Sequence, residues 1–388
     1  MWRIEIGQRT KKGLSILITV ILLVVAAKAI FFSKKVEPIK NKQAKVINRI
    51  GDSAWAKISS VAISDIVAMN FDDSGQYGAA ISLEGALIKS TDGGENWNSS
   101  GVIPINPGEL VNAIGISSNG RVTVGTSVDD SSYTAIYRES SNGKWQRTVC
   151  KDCGGILATD SDGDVAVGGG GLISTFDNQL NKWQFNYLPD WAAFSLYGIT
   201  RSENKLWVTG ENALVAVSND NGKSWQNITP TLSPNITPNL SPNITPNLSQ
   251  SPKTNLSFYS IASSKTGDKL LVGGVNGQLL IRESNIESNN NNWIEVKGLD
   301  KGVMLSSVLV TDKVLLAGGG KLSGVDGFIV SSVISSTSSD IDGFDGEAWQ
   351  YDRLPKGVTS IVALKLSSTG LLAASSDGNI FRRVKNKF

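Results

Sequence analysis

Residues 89–97, KSTDGGENW, place Ser90, Asp92, Gly94 and Trp97 in one short polar segment, and residues 218–225, SNDNGKSW, repeat the order with Ser218, Asp220, Gly222 and Trp225. These residue types could cradle a phosphate, hold a cation, supply a catalytic carboxylate or form a turn. A phosphate loop needs Gly-Lys-Ser/Thr running into a helix, whereas NGKSW at 221–225 enters a strand. Histidine is absent, which excludes His-based catalytic triads and His-ligated metal sites. Cys150 and Cys153, in CKDC, are the two cysteines of the chain. Such a pair can be a redox couple, half a zinc site or a local disulfide. The remaining zinc donors are missing, and thioredoxin-type chemistry wants the motif at a helix start. A disulfide stapling the loop is expected if the chain is exported. No metal and no cofactor are expected.

The elements that must position these residues emerge from internal repeats. Residues 77–97 (YGAAISLEGALIKSTDGGENW) and 206–225 (LWVTGENALVAVSNDNGKSW) share an order: apolar strand, Gly-rich turn, second apolar strand, polar turn, then Trp opening another strand. From Trp55 the tryptophans follow at spacings of 42, 48, 38, 42, 68 and 56, ending at Trp349. The 68 contains a proline-rich insertion, residues 228–257, that holds six of the 11 prolines. Its eight-residue repeat cannot bury a core and is expected to be an extended loop. One further apolar run precedes each repeat, as in VNAIGISSNG, LYGITRSEN and FYSIASSKTG. These runs are expected to be innermost strands, buried on both faces.

A four-stranded unit of this length repeated around an axis is a β-propeller. The fold class predicted is all-β, a seven-bladed propeller over residues 51–388. The final repeat ends without a Trp, and Trp55 has no strands before it. The segment near Trp55 is therefore predicted as the outer strand of the last blade, which closes the ring and removes its open edge.

The Ser-x-Asp-x-Gly-x-x-Trp pattern at Ser90–Asp92–Gly94–Trp97 and at Ser218–Asp220–Gly222–Trp225 resembles the Asp-box, or bacterial neuraminidase repeat. In such a turn the Asp accepts backbone N–H bonds, the Gly takes angles closed to other residues and the Trp buries its ring. Asp92 and Asp220 are thus expected to be structural and not catalytic. The cadence of residues 85–97 (GALIKSTDGGENW) is similar to the photosystem II stability/assembly factor propellers. That resemblance implies a seven-bladed, exported, non-catalytic protein that holds a membrane-protein subunit during assembly. The family's basic partner-binding patch has no recognisable counterpart here. Asp-box sialidases imply a contrasting alternative, a glycan-binding protein or sialidase-like glycosidase, with an arginine cluster, a Tyr–Glu pair and an acid/base Asp. Arg121, Arg138, Arg147, Arg201, Arg282 and Arg353 follow no such arrangement, so no enzyme is expected.

Residues 1–12 form a short basic tail, followed by an apolar stretch at 13–32 that includes LSILITVILLVVAA. Its length suits a transmembrane signal anchor, with residues 33–50 as a polar tether. Cleavage after the small residues of AKA at 27–29 is the competing reading. The propeller is expected on the extracytoplasmic side. The 37 basic and 35 acidic residues leave no field suited to nucleic acid.

Propeller geometry divides the loops. Blade-to-blade connections and turns between second and third strands share one face; the Trp-preceding turns lie on the other. The first face carries the insertion, CKDC, SVDDSSY (127–133) and NYLPDWAAF (186–194). Tyr187, Asp190 and Trp191 are the candidate contacts for a protein partner, expected to be a membrane or envelope component.

Overall fold

The computed structural model describes residues 55–58, 63–130, 132–230, 256–283, 293–296, 299–311, 314–322, 326–333 and 350–384. The predicted tail, anchor and tether, most of the 228–257 insertion and Trp349 lie outside them. No helix among the described residues is long and apolar enough to cross a membrane.

Seven four-stranded antiparallel sheets are formed. Blade one comprises Ile66–Phe71, Gly78–Ser82, Ala86–Ser90 and Asn98–Val102; blade two comprises Glu109–Ile116, Val122–Val128, Tyr133–Glu139 and Trp145–Lys151. Blade three comprises Ile156–Thr159, Val165–Gly168, Leu172–Asp177 and Lys182–Tyr187; blade four comprises Leu196–Ser202, Lys205–Gly210, Val215–Ser218 and Gln226–Asn227. Blade five comprises Phe258–Ser263, Lys269–Gly274, Leu279–Glu283 and Trp293–Glu295; blade six comprises Val303–Val310, Val314–Lys321, Gly327–Val333 and Gln350–Asp352. Blade seven takes Ile361–Ser367, Gly370–Ser375 and Ile380–Arg383 from the C-terminal region and Trp55–Lys57 from the N-terminal region. Trp55 pairs with Arg383 and Lys57 with Phe381, antiparallel, as the ring closure predicted from the tryptophan cadence requires.

Among the described residues, each tryptophan of the cadence closes a seam. Trp97 of blade one is buried in a cluster with Ala363, Leu372 and Ile380 of blade seven, and its ring meets Phe71 edge-on at 5.8 Å. Trp145 packs on the seam of blades one and two, Trp183 on that of two and three, and Trp225 on that of three and four. Trp293 packs between blades four and five, and Trp55 between six and seven. Each indole therefore sits against the preceding blade, burying a large apolar area where two sheets would otherwise leave a wedge-shaped gap.

The second strands are the most buried: every residue of Gly78–Ser82 and of Val122–Val128 is inside. The innermost strands, expected to be buried on both faces, differ. Their register slips once in every blade, between Ile66 and Ala68, Val111 and Ala113, Ile156 and Ala158, and Leu196 and Gly198. The same slip falls between Phe258 and Ser260, Leu305 and Ser307, and Ile361 and Ala363. A bulge leaves one residue unpaired and bends the strand. The skipped residues are Val67, Asn112, Leu157, Tyr197, Tyr259, Ser306 and Val362, and all are partly exposed. Inner strands have no sheet neighbour on the axial side, so these residues ring the mouth of the channel at its loop-bearing end. Asn112 donates to the Ile156 carbonyl of the next blade at 2.9 Å and Ser306 to the Ile361 carbonyl at 2.6 Å, so the free edges satisfy each other.

Candidate functional site

The two Ser-x-Asp turns are built alike. Ser90 Oγ accepts the Gly94 N–H at 2.8 Å and donates to Asp92 Oδ1 at 2.8 Å. Asp92 accepts the backbone N–H of Asn96 at 2.9 Å and its side-chain amide at 2.7 Å. In the second turn Ser218 accepts the Gly222 N–H at 2.7 Å, and Asp220 accepts the Ser224 N–H at 2.8 Å and its hydroxyl at 2.5 Å. Trp225 donates to the Gly222 carbonyl at 3.1 Å. Gly94 has φ +81°, and a Cβ there would lie 2.5 Å from Leu372 of blade seven; glycine is required for both reasons. The Ser224 bonds pull Asp220 down to about 2. At Asp92 burial opposes the charge, but the Asn96 and Ser90 bonds outweigh it and lower the pKa. Carboxylates held ionised in this way have no proton to give as general acids at neutral pH.

On the opposite, loop-bearing face the residues singled out from sequence separate. Cys150 and Cys153 lie side by side with Cα atoms 5.6 Å apart. The Tyr187 hydroxyl donates to Cys153 Sγ at 3.4 Å, and the residue is 45% exposed. Asp190 is exposed and opens a single 3-10 turn, Asp190–Ala192, whose Ala192 is buried. Trp191 is only partly exposed, because it packs with Phe194 on the seam of blades three and four. Tyr187 and Asp190 thus face outward, while much of Trp191 serves packing.

Sequence reasoning missed the residues that topology gathers at the axial mouth. The skipped Tyr197 and Tyr259, from neighbouring blades, stack with centroids 4.8 Å apart and planes 19° from parallel. Glu211, in the turn between the second and third strands of blade four, accepts the Ser195 N–H at 3.0 Å, and its charge acts on Tyr197. Burial raises the Glu211 carboxyl above its ordinary range, against the bond from Ser195. Burial also raises both tyrosines, and the Glu211 charge adds to it. A signal existed: LYGIT and FYSIA are consecutive innermost runs with Tyr at the same place.

A second Tyr–Glu pair lies off the axis. Tyr137 donates to Glu109 at 2.5 Å, Arg147 pairs with the same carboxylate, and the Asn106 N–H reaches both groups. Tyr137 and Glu109 are 1% and 6% exposed. Burial, with the Glu109 bond, pushes the Tyr137 hydroxyl up to about 12. A phenol so held is protonated at neutral pH and poorly suited to nucleophilic attack. Arg138 pairs with Asp164 at 2.6 Å and Arg201 with Asp160 at 2.7 Å, near turns of the other face. Arg282 lies instead in a cleft between blades four and five with Lys205, Trp207 and Asp268.

No family model matches the sequence, and no curated protein does. Among solved structures the chain is similar to YCF48 bound to D1 peptide, with 15% identity over 88% of this chain and 99% of that one, TM-score 0.59. It is also similar to U3-55K, with 12% identity over 85% of this chain and 98% of that one, TM-score 0.55. A chain of a mitotic checkpoint complex matches at 14% identity over 92% of this chain and 98% of that one, TM-score 0.56. At these identities the likeness is one of fold: a propeller.

Proposed function

We propose that this chain is a non-catalytic scaffold that binds a protein partner through the loop-bearing face of its propeller. One observation carries the reading. The loop-bearing face carries the exposed Tyr187 and Asp190 and, at the axis, the partly exposed stacked pair Tyr197 and Tyr259, whereas in the Ser-x-Asp turns of the other face the serine and aspartate side chains hold the turn itself together. The matched YCF48 structure, which holds a D1 peptide, gives a precedent for a propeller of this shape taking a protein segment. Fold does not dictate function, so the site residues and not the likeness bear the weight.

In this reading the Ser-x-Asp turns are Asp-boxes serving as seam braces, and residues 13–32 anchor the propeller on the extracytoplasmic side of a membrane. The partner is then a membrane or envelope component, and the scaffold acts as an assembly or stability factor for its complex. The protonated Tyr137 and the pairing of Arg138, Arg147 and Arg201 with carboxylates argue against sialidase chemistry. The test is purification of the tagged full chain from gently solubilised membranes. A single stoichiometric partner is expected; recovery of the chain alone would count against the reading.

A further inference from the structure

The turns between second and third strands lie on the loop-bearing face, and their composition is one-sided. The seven turns contain Glu84, Asp129, Asp130, Glu211, Asp326 and Asp377 and no lysine or arginine. Lys321, at the end of a neighbouring strand, is occupied by Asp326 at 3.2 Å. These carboxylates give the turns of this face a local negative field, alongside the cations Lys301, Arg353 and Lys356 in its blade-to-blade connections. Within that field the stacked Tyr197 and Tyr259 provide π-faces beside the carboxylate of Glu211. Glu211 accepts the Ser195 N–H, a neutral donor. That bond does not balance its charge. An aromatic pair next to a carboxylate with no counter-ion among the described residues is the environment that a desolvated cation prefers.

We infer that the axial mouth formed by Tyr197, Tyr259 and Glu211 receives a cationic side chain, lysine or arginine, projecting from the protein partner. The inference rests on the scaffold reading above and specifies its chemistry. The long aliphatic stem of such a residue suits the apolar part of the ring, where Val67, Leu157 and Val362 occupy equivalent skipped positions. Its charged head ends between the tyrosines and Glu211. The acidic turns orient the approach of a basic segment, and the mouth fixes one residue of it. An acidic segment would meet like charge at the same opening.

The probe is an N-acetylated tetralysine peptide, compared by calorimetry with its fully lysine-acetylated form and with tetraglutamate, on the full chain in detergent. Wild type is expected to bind tetralysine about tenfold or more tighter than either control, a span typical of a partly desolvated cation on aromatic faces. Glu211→Gln and Tyr259→Leu are each expected to remove most of that preference, while Asp377→Asn, a carboxylate elsewhere on the rim, removes little. Melting curves and circular dichroism of each variant confirm that it is folded. Unchanged tetralysine affinity in Glu211→Gln and Tyr259→Leu would overturn the inference, as would an equal loss in Asp377→Asn, which would mean diffuse attraction only. Tighter binding of tetraglutamate would overturn it as well. A native partner recovered equally on wild type and on Glu211→Gln would sink the cation site and leave the scaffold reading standing.

Discussion

Trp55 donates its indole N–H to the carboxylate of Asp352 at 2.9 Å, across 297 residues of chain. The same carboxylate accepts from Ser331 at 2.9 Å and meets Arg383 at 3.5 Å. Trp55 is 1% exposed and Asp352 6%. This contact joins the N-terminal strand of blade seven to the outer strand of blade six, so the ring is closed by side chains as well as by the Trp55–Arg383 strand pairing.

Removing that closure is expected to be expensive. Trp55→Ala should cost about 3–5 kcal/mol, the range for a buried aromatic truncated in a core. Trp55→Phe, which keeps most of the packing and orphans a buried carboxylate lone pair, should cost about 1–2 kcal/mol. Urea denaturation of both variants checks the order.

The Ser-x-Asp turns are predicted to matter for stability and for nothing else. Ser90→Ala leaves the buried Gly94 N–H without its acceptor and should cost about 1–3 kcal/mol, while Asp92→Ala, whose Asn96 donors are exposed, should cost about 0.5–1.5 kcal/mol. Partner binding by the folded variants should match wild type. A melting curve unmoved by Ser90→Ala would contradict the bracing role.

Asp162 gives the chain a stability that depends on pH. Burial, then the charges of Asp73 and Asp160, raise its carboxyl to about 7 from 3.8, with Arg201 opposing. The folded state therefore holds this proton longer than the unfolded state, and its contribution to stability falls as pH rises from 3.8 to about 7. Asp162→Asn should raise the melting temperature above pH 7, with the gain vanishing once Asp162 is protonated in both states. Equal gains at both ends of the range would contradict the assignment.

If the propeller is exported, Cys150 and Cys153 are predicted to be oxidised in freshly isolated protein. Alkylation of the denatured protein should require prior reduction. The loop they would close is short, so reduction should lower the melting temperature only slightly. Free thiols in freshly isolated protein would argue against export.

The fold was legible because one device recurs. An indole at the start of each outer strand leaves a countable mark, and its regular spacing led directly to the blades and to the closure at Trp55. The loop-bearing face was less legible, because its residues come together only through topology. Tyr197 and Tyr259 come from different blades, and Glu211 reaches Tyr197 across a hairpin. Arg147 and Glu109 meet across 38 positions of chain. The innermost strands read as plain apolar runs, since a bulge leaves no compositional trace; only the matching tyrosines of LYGIT and FYSIA mark the place. Trp191 serves two purposes at once. Outside the repeat register it looked like a free contact residue, yet the seam of blades three and four uses much of its ring.

The central claim is that one face of the ring binds a protein and the other does not. Site-specific photocrosslinking in intact membranes tests it most directly, with the crosslinker placed at Tyr187 or Asp190 on the loop-bearing face and at Asn96 or Lys223 on the opposite one. The account predicts a discrete adduct of one size from the first pair and none from the second. Adducts from Asn96 and Lys223 alone, or none from any position, would contradict it.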